Sequence, residues 1–376
     1  MAVRIREALA SRARRSPLGI RLRAAAGRPV TLTEAAGREV GTLTPDREGS
    51  GPESWGRHRW HSDGANLYPR SAAEFEDLPK LVREFVVPGH APAQPLLRRD
   101  DDVVTLGSCF AAELRDFLGR FGFSSSSLWV PSGLNNTFAL TDFVSWCVTG
   151  EQTNRGYRYD VTTDGRVEEW MPEGERTAYL DRLREAGAFV FTIGLAEVWQ
   201  DRETRGVFWR GVPRHIFDSD RHVFRLTTVE ENEANIVRIV ELIREVNPEA
   251  PIVLTLSPVP LKATFRDISC VTADAVSKSV LRVALDSALR RDLPGVWYWP
   301  SYEIVKWAGA HLPWPAYGLD DGGSRHVTRY LVLLILEAFV EAFYGVEAAG
   351  EFTARLEAAG MRLDRPIPVF GRTVRA

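Results

Sequence analysis

Residues 103–122 read VVTLGSCFAAELRDFLGRFG, and from this segment onward the pattern of the chain becomes regular. It opens with a short β-branched apolar run, Val103 to Leu106, which is typical of a buried strand. Gly107-Ser108-Cys109 follows directly and indicates a turn. Apolar residues then recur at helical spacing as far as Gly122: Phe110, Leu114, Phe117, Leu118 and Phe121. The segment therefore predicts a strand, a tight turn and a helix.

Apolar runs of strand length occur at three later places, and each ends in turn residues. They are Phe189–Ile193, Ile252–Leu256 and Val296–Trp299. Helical patterns separate them: one after the capping-box pair Thr228 and Glu231, and others at Ala273–Leu289 and Val327–Phe343. Strands that alternate with helices predict an α/β fold, a three-layer αβα sandwich with a mainly parallel sheet.

The predicted sheet also indicates where a binding site would lie. In parallel α/β sheets, ligands bind beyond the carboxyl ends of the strands, where the loops converge. The residues that follow the predicted strands are Ser108 and Cys109, Gly194–Glu197, Ser257–Pro260 and Ser301–Glu303. We expect these four segments to line one crevice.

The composition excludes several classes of protein. The 376 residues carry a net charge of -3, with 44% hydrophobic and 26% charged residues, as in ordinary globular proteins. This charge provides no basic face for nucleic acid, so we expect none as a partner. The three cysteines are too few and too widely separated for a disulfide framework, and the scattered histidines do not form a metal site. We therefore expect no metal and no cofactor.

The signals of secretion and membrane insertion are missing from the sequence. The N-terminal region is rich in arginine, but it has no apolar segment of the kind that a secretory signal requires. The longest apolar run, Tyr330 to Phe343, contains Glu337 and Glu341 and is short for a bilayer span, so it predicts a buried helix. These features indicate a cytoplasmic protein without a transmembrane segment.

We expect three regions along the chain. Residues 1–55 form a basic N-terminal arm or extension, residues 56–345 form the α/β domain, and residues 346–376 form a C-terminal extension. The arm is either solvated or contacts an anionic partner or lipid, and the sequence leaves both readings open. The oligomeric state is not specified by any pattern in the sequence.

Four blocks of the sequence resemble a known family. The block Thr105–Ala111 resembles the motif that gives the bacterial GSCFA family its name. Three later blocks resemble the same family in their residues and in their order along the chain: Thr192–Trp199, Leu254–Leu261 and Pro300–Ile304. The family is similar to the SGNH (GDSL-like) hydrolases. The resemblance extends over residues 60–345 and implies an SGNH-hydrolase-like fold.

The resemblance implies a nucleophile directly after the first strand of the domain. SGNH hydrolases carry a Gly-Asp-Ser turn there, and Gly107, Ser108 and Cys109 match its three positions in order. Cys109 is therefore the first candidate nucleophile, and the N-terminal end of a helix favours its thiolate form. Ser108 is the alternative, because a one-residue shift of the turn would present its hydroxyl instead. A small buried cysteine behind a strand is the structural alternative.

The same resemblance implies partners for the nucleophile. Gly133 stands where the oxyanion glycine of SGNH enzymes is expected, and Ala196 replaces their oxyanion asparagine, so that Asn135 or Asn136 would substitute for it. The base is expected late in the chain, which identifies His326 with Asp321 as its orienting carboxylate. Further residues expected in the crevice or the oxyanion hole are Gly107, Gly194, Glu197, Ser257 and Glu303.

The implied function is acyl-ester chemistry. Either hydrolysis (esterase or deacetylase activity) or transfer of the acyl group to a hydroxyl fits the resemblance, with a small-molecule or carbohydrate-linked acyl substrate. A second hypothesis is a non-catalytic carbohydrate- or ligand-binding protein on the same scaffold. A third is a partner-dependent scaffold that uses the basic arm.

Overall fold

The structure is a computed structural model, and it describes residues 30–33, 39–45, 60–62, 68–69, 72–128, 130, 134–151, 155–161, 166–170, 176–291 and 293–360. The chain divides into two compact units, Met1–Arg70 and Ser71–Ala376. In the first unit, three strands form an antiparallel sheet in sequence order: β1 (Val30–Thr33), β2 (Glu39–Pro45) and β3 (Trp60–Ser62).

The second unit contains the parallel sheet that the sequence predicts. The strands of this second unit are β4 (Val103–Gly107), β5 (Ser125–Ser127), β6 (Tyr159–Val161), β7 (Val167–Glu169), β8 (Ala188–Ile193), β9 (Glu197–Asp201), β10 (His222–Leu226), β11 (Ile252–Leu256) and β12 (Val296–Trp299). The order β12-β11-β8-β4-β5 defines one five-stranded sheet, and every neighbouring pair in it is parallel. Two antiparallel pairs, β6 with β7 and β9 with β10, lie outside it.

Helices cover both faces of this sheet. They are α1 (Cys109–Arg120), α2 (Thr137–Thr149), α3 (Arg176–Glu185), α4 (Val229–Val246), α5 (Cys270–Leu289), α6 (Arg329–Tyr344) and α7 (Val346–Ala358). Side chains alternate along a strand, so Phe189 and Phe191 of β8 pack with α2–α5, whereas Ala188 and Val190 pack with α1, α6 and α7. This three-layer αβα arrangement confirms the predicted fold class.

The helices begin close to the residues where the local sequence signals predict them. Thr228 and Glu231 form a complete capping box at the start of α4, with Glu231 accepting from the Thr228 amide at 2.8 Å. The two C-terminal helix predictions are also confirmed, since α5 begins three residues earlier and α6 two residues later than predicted. α6 is buried along most of its length, and no helix in the described residues is long and apolar enough to cross a membrane.

The strand order places a crevice between β4 and β8. From β4 the chain proceeds to β5 at one edge, and from β8 it proceeds through β11 to β12 at the other edge. Parallel sheets bind ligands at the point where the strand order reverses, beyond the carboxyl ends of the strands. The two strands approach each other closely there. A Cβ on Gly107 (φ +119°) would lie only 2.0 Å from the carbonyl oxygen of Thr192. Only glycine fits this position.

Candidate active site

A cavity of about 440 Å³ opens at this reversal point. The turns after β4, β8 and β11 contribute Cys109, Gly194 and Ser257, and a Cβ on Gly194 would touch both Ser108 and Ser257 at 3.6 Å. The described residues that line the cavity are Ser108, Cys109, Asn135, Asn136, Gly194, Leu195, Glu197, Trp199, Trp209, Arg210, Gly211, Phe224, Ser257, Val259, Pro260, Leu261, Lys262, Ala263, Phe265 and Arg325. Three of the four strand-end segments therefore meet as the sequence predicts.

The two candidate nucleophiles differ in their surroundings. Cys109 is the first residue of α1, and its thiol is free and exposed. Its backbone amide has no acceptor within the helix, because the first amides of a helix never do. Ser108 is buried, and its hydroxyl lies 3.0 Å from the Thr192 hydroxyl, which also accepts from the Ser108 amide at 2.7 Å. Ser108 is thus held to β8, whereas the Cys109 thiol faces open space.

The Gly194 turn is fixed by hydrogen bonds on both sides of its peptide. The amides of Gly194 and Leu195 donate to the carbonyl oxygen of Asn135 at 2.8 and 2.9 Å. The Gly194 carbonyl accepts from the ammonium of Lys278 at 2.8 Å. Burial lowers the pKa of Lys278 to about 8, against the opposing influence of the Asp274 carboxylate. Gly194 therefore shapes the floor of the cavity, and its amide is not free to bind an oxyanion.

The two asparagines of the candidate oxyanion site have different roles. Asn136 caps α2: its side-chain oxygen accepts from the Ala139 amide at 2.8 Å, and its amide nitrogen donates to the Trp209 carbonyl at 3.1 Å. Asn135 lines the cavity, and its buried Oδ1 has no hydrogen-bond partner among the described residues. Gly133, the expected oxyanion glycine, lies outside the described residues. Of the two asparagines, Asn135 is the one whose side chain does not cap a helix, and its Nδ2 is the atom that can donate to an oxyanion.

The late histidine is paired with the expected carboxylate. Oδ2 of Asp321 lies 2.5 Å from Nδ1 of His326, and Oδ1 accepts from the Gly323 amide at 2.8 Å. The hydrogen bond with His326 is the main cause that lowers the pKa of Asp321. A left-handed Gly322 (φ +75°) lets this segment turn back, so a five-residue separation still brings the two side chains together.

His326 also lies near the first turns of α1. Its neighbour Arg325 lines the cavity and donates to the Pro260 carbonyl at 3.1 Å. Glu113 stands one helical turn after Cys109, and burial raises the pKa of Glu113 to about 7, while the nearby charge of His326 lowers it. Oε2 of Glu113 is buried without a hydrogen-bond partner among the described residues. The thiol, the carboxyl group of Glu113 and the imidazole therefore belong to one region of the molecule.

The two glutamates expected at strand ends are placed differently. Glu197 lines the cavity, and its Oε1 accepts from Arg266 at 3.2 Å. Glu303 binds Arg282 at 2.8 Å and the Tyr298 hydroxyl at 2.7 Å, and it is not among the described residues that line the cavity. The cavity is therefore formed at the ends of β4, β8 and β11. The segment after β12 does not contribute to it, and its Glu303 forms an ion pair with Arg282 instead.

A family model now identifies the chain. The model of the GSCFA family matches residues 102–339, which is more than half of the sequence. The chain belongs to the GSCFA family. The matched region of this GSCFA protein begins at β4 and ends within α6, so it contains the cysteine turn, the cavity and the Asp321–His326 pair.

The comparison with solved structures finds matches of low identity and low TM-score. A gut microbial diltiazem-metabolizing enzyme is 13% identical with a TM-score of 0.36, and the match covers 68% of this chain but only 49% of that one. A protein from Parabacteroides merdae, described as a GDSL-like lipase, is 13% identical (TM-score 0.34; 69% and 100% covered). A carbohydrate esterase of family 2 from Corynascus thermopiles is 16% identical (TM-score 0.33; 71% and 69% covered). No curated protein matches the sequence.

Several residues of the GSCFA site were not identified from the sequence. Glu113 could have been found by counting one helical turn from Cys109, since positions four apart share a helix face. Arg266 and Phe265 lie in the loop after β11, where no motif marks them. Arg325 was not identified either, because its contact with Pro260 joins segments that are far apart in sequence.

Proposed function

We propose that this GSCFA protein catalyses acyl-ester chemistry, with Cys109 as nucleophile, His326 as base and Asp321 as the group that orients the base. The observation that supports this most directly is an exposed thiol on the first turn of α1, in a cavity that is also lined by Arg325. The next residue, His326, is paired with Asp321, although neither of these two is among the described residues that line the cavity. A nucleophile, a base and a group that orients the base are the parts that covalent acyl transfer needs.

The surroundings of the two candidates favour Cys109 over Ser108. The serine side chain is buried and its hydroxyl lies within hydrogen-bond distance of the Thr192 hydroxyl, so it is less open to a substrate than the exposed thiol. The cysteine thiol has an open approach for a substrate carbonyl, and it begins a helix whose N-terminal end favours an anion.

In the first half-reaction, the imidazole of His326 takes the proton of the Cys109 thiol, the thiolate attacks the carbonyl carbon of the ester, and the carbonyl electron pair moves onto the oxygen. The Cys109 amide and the Asn135 side chain are the donors available to that oxyanion. When the tetrahedral species collapses, the bond to the alcohol oxygen breaks and the protonated imidazole gives its proton to that oxygen. The products are an alcohol and a thioester on Cys109.

In the second half-reaction, water or a hydroxyl group attacks the thioester. Nδ1 of His326 faces Asp321, so Nε2 is the nitrogen that takes the proton from the attacking oxygen. Collapse releases the acyl group as an acid or a new ester and restores the thiol. The His326 side chain is 49% exposed, so water reaches it, which favours hydrolysis over transfer.

The test is turnover of an activated acetyl ester such as p-nitrophenyl acetate. We expect the wild-type chain to release nitrophenol above the buffer rate, and Cys109→Ala and His326→Ala to return the rate to that background. Cys270→Ser is a matched thiol control, since Cys270 is partly exposed and does not line the cavity. Ser108→Ala distinguishes the two candidate nucleophiles: its rate should stay well above background if Cys109 is the nucleophile and should fall to background if Ser108 is. Equal rates in all samples and in buffer would reject the proposal and leave a non-catalytic binding protein as the reading.

A further inference from the structure

The β9–β10 hairpin presents one mixed surface to the cavity. Glu197 and Trp199 are two residues apart on β9, so their side chains lie on the same face of the hairpin. Phe224 of β10 is the direct cross-strand partner of Trp199. All three residues line the cavity that contains Cys109. The hairpin therefore faces any substrate that reaches the thiol.

Three aromatic rings form a wall on this surface. The ring centroid of Trp199 lies 5.2 Å from that of Phe224 and 5.1 Å from that of Phe265, and the two phenylalanine centroids are 5.2 Å apart. The rings contact one another directly, so they form a wall and leave no space for a ligand between them. Phe265 is 70% exposed, which leaves a large apolar surface open beside the cavity.

Glu197 lies next to this wall and has one carboxylate oxygen that lacks a hydrogen-bond donor among the described residues. Its side chain is 2% exposed, and its Oε1 is bound to Arg266, but its Oε2 has no hydrogen-bond partner among the described residues. A buried carboxylate oxygen without a donor is costly and calls for a physical explanation. The terminal torsion of glutamate is soft, so a small rotation turns Oε2 toward a donor on a bound ligand.

We propose that Glu197, Trp199, Phe224 and Phe265 form a subsite for a hydroxylated six-membered sugar ring, a pyranose, next to the Cys109 thiol. The apolar face of a pyranose packs on the aromatic wall, and a ring hydroxyl donates to Oε2 of Glu197. A purely apolar acyl chain would cover the wall but would leave that oxygen without a donor. The inference rests on the proposed function in one respect: the sugar is the alcohol part of the ester.

Direct binding of unacylated sugars tests the subsite apart from catalysis. The probes are the methyl pyranosides of glucose, galactose, mannose and xylose, titrated while tryptophan fluorescence and saturation-transfer NMR are recorded. We expect saturable binding of at least one of them. Phe265→Ala should weaken it about three- to tenfold, because one aromatic contact is lost. Glu197→Gln should weaken it about fivefold, because a charged acceptor becomes a neutral one.

Phe217→Ala is the matched control. Phe217 contacts Trp199 with a centroid distance of 5.6 Å and is itself exposed, but it does not line the cavity, so this variant should bind like the wild type. Phe265 is so exposed that its replacement leaves the fold intact, which keeps the test decisive if Glu197→Gln is unstable.

The outcomes separate the two proposals. If none of the pyranosides binds, or if Phe265→Ala binds as tightly as Phe217→Ala, the subsite is refuted even when the acetyl ester is hydrolysed. If a pyranoside binds with the expected pattern while the acetyl ester is not hydrolysed, the subsite stands and the acyl chemistry fails.

Discussion

Replacing Glu113 with glutamine should change how the stability of the protein depends on pH. Glu113 lies one helical turn after Cys109, and burial raises its pKa from 4.5 to about 7, against the lowering influence of His326. Oε2 has no hydrogen-bond partner among the described residues. The folded state therefore keeps a proton on this carboxyl group at pH values where the unfolded chain has already released it.

The sign and the magnitude follow from this difference in proton binding. Below pH 4.5 the carboxyl group is neutral in both states, and it contributes no pH dependence. Between pH 4.5 and pH 7 the folded state binds more protons than the unfolded state, so the free energy of unfolding falls as the pH rises. A pKa raised from 4.5 to about 7 corresponds to about 3 kcal/mol, an upper value because part of the side chain contacts water.

The assay is urea unfolding of the wild type and of Glu113→Gln at pH 4.5 and pH 8. Glutamine cannot ionise, so the variant should be up to about 3 kcal/mol more stable than the wild type at pH 8, with the advantage almost absent at pH 4.5. Asp116→Asn is the matched control, because Asp116 is an exposed carboxylate on the same helix. A stability difference between Glu113→Gln and the wild type that is the same at both pH values would mean that the folded state does not raise the pKa of Glu113.

Three further changes have defined expectations. Asp142→Asn should lower the free energy of unfolding by about 3–5 kcal/mol in denaturant titrations, because it leaves the guanidinium of Arg158 buried without its charged partner. Gly107→Ala should lower it by at least about 2 kcal/mol, because the new Cβ meets the Thr192 carbonyl in a left-handed conformation, and an unchanged melting temperature would contradict this. Asp321→Asn should lower the turnover of an acetyl ester about tenfold to a hundredfold by releasing the imidazole, with little change in KM; an unchanged turnover number would argue against an orienting role.

The sheet could be predicted because its strands carry their own signals. Strands covered on both faces are continuous apolar runs, and each of the four predicted runs is a strand of the parallel sheet. The edge strand β5 was not predicted, because its residues Ser125–Ser127 have no apolar pattern. The β9–β10 hairpin was also missed, since twenty residues separate its strands and no short turn marks it.

The site could be predicted only where the sequence fixes a position at the end of a strand. Cys109, Gly194 and Ser257 meet because their strands are parallel neighbours in the order β4-β8-β11. The contact of Glu197 with Arg266 depends on loop geometry, and no local pattern encodes it. The same holds for Glu303, whose ion pair with a helix side chain could not be inferred from its place after β12.

Mass spectrometry of the denatured protein after rapid mixing with an activated acetyl ester shows which side chain carries the acyl group during turnover. We expect one acetyl group on Cys109, located by fragmentation of the peptide that contains Ser108 and Cys109, formed transiently in the wild type and absent from Cys109→Ala. An acetyl group on Ser108 in place of Cys109, or no adduct under conditions where the ester is consumed, would contradict it.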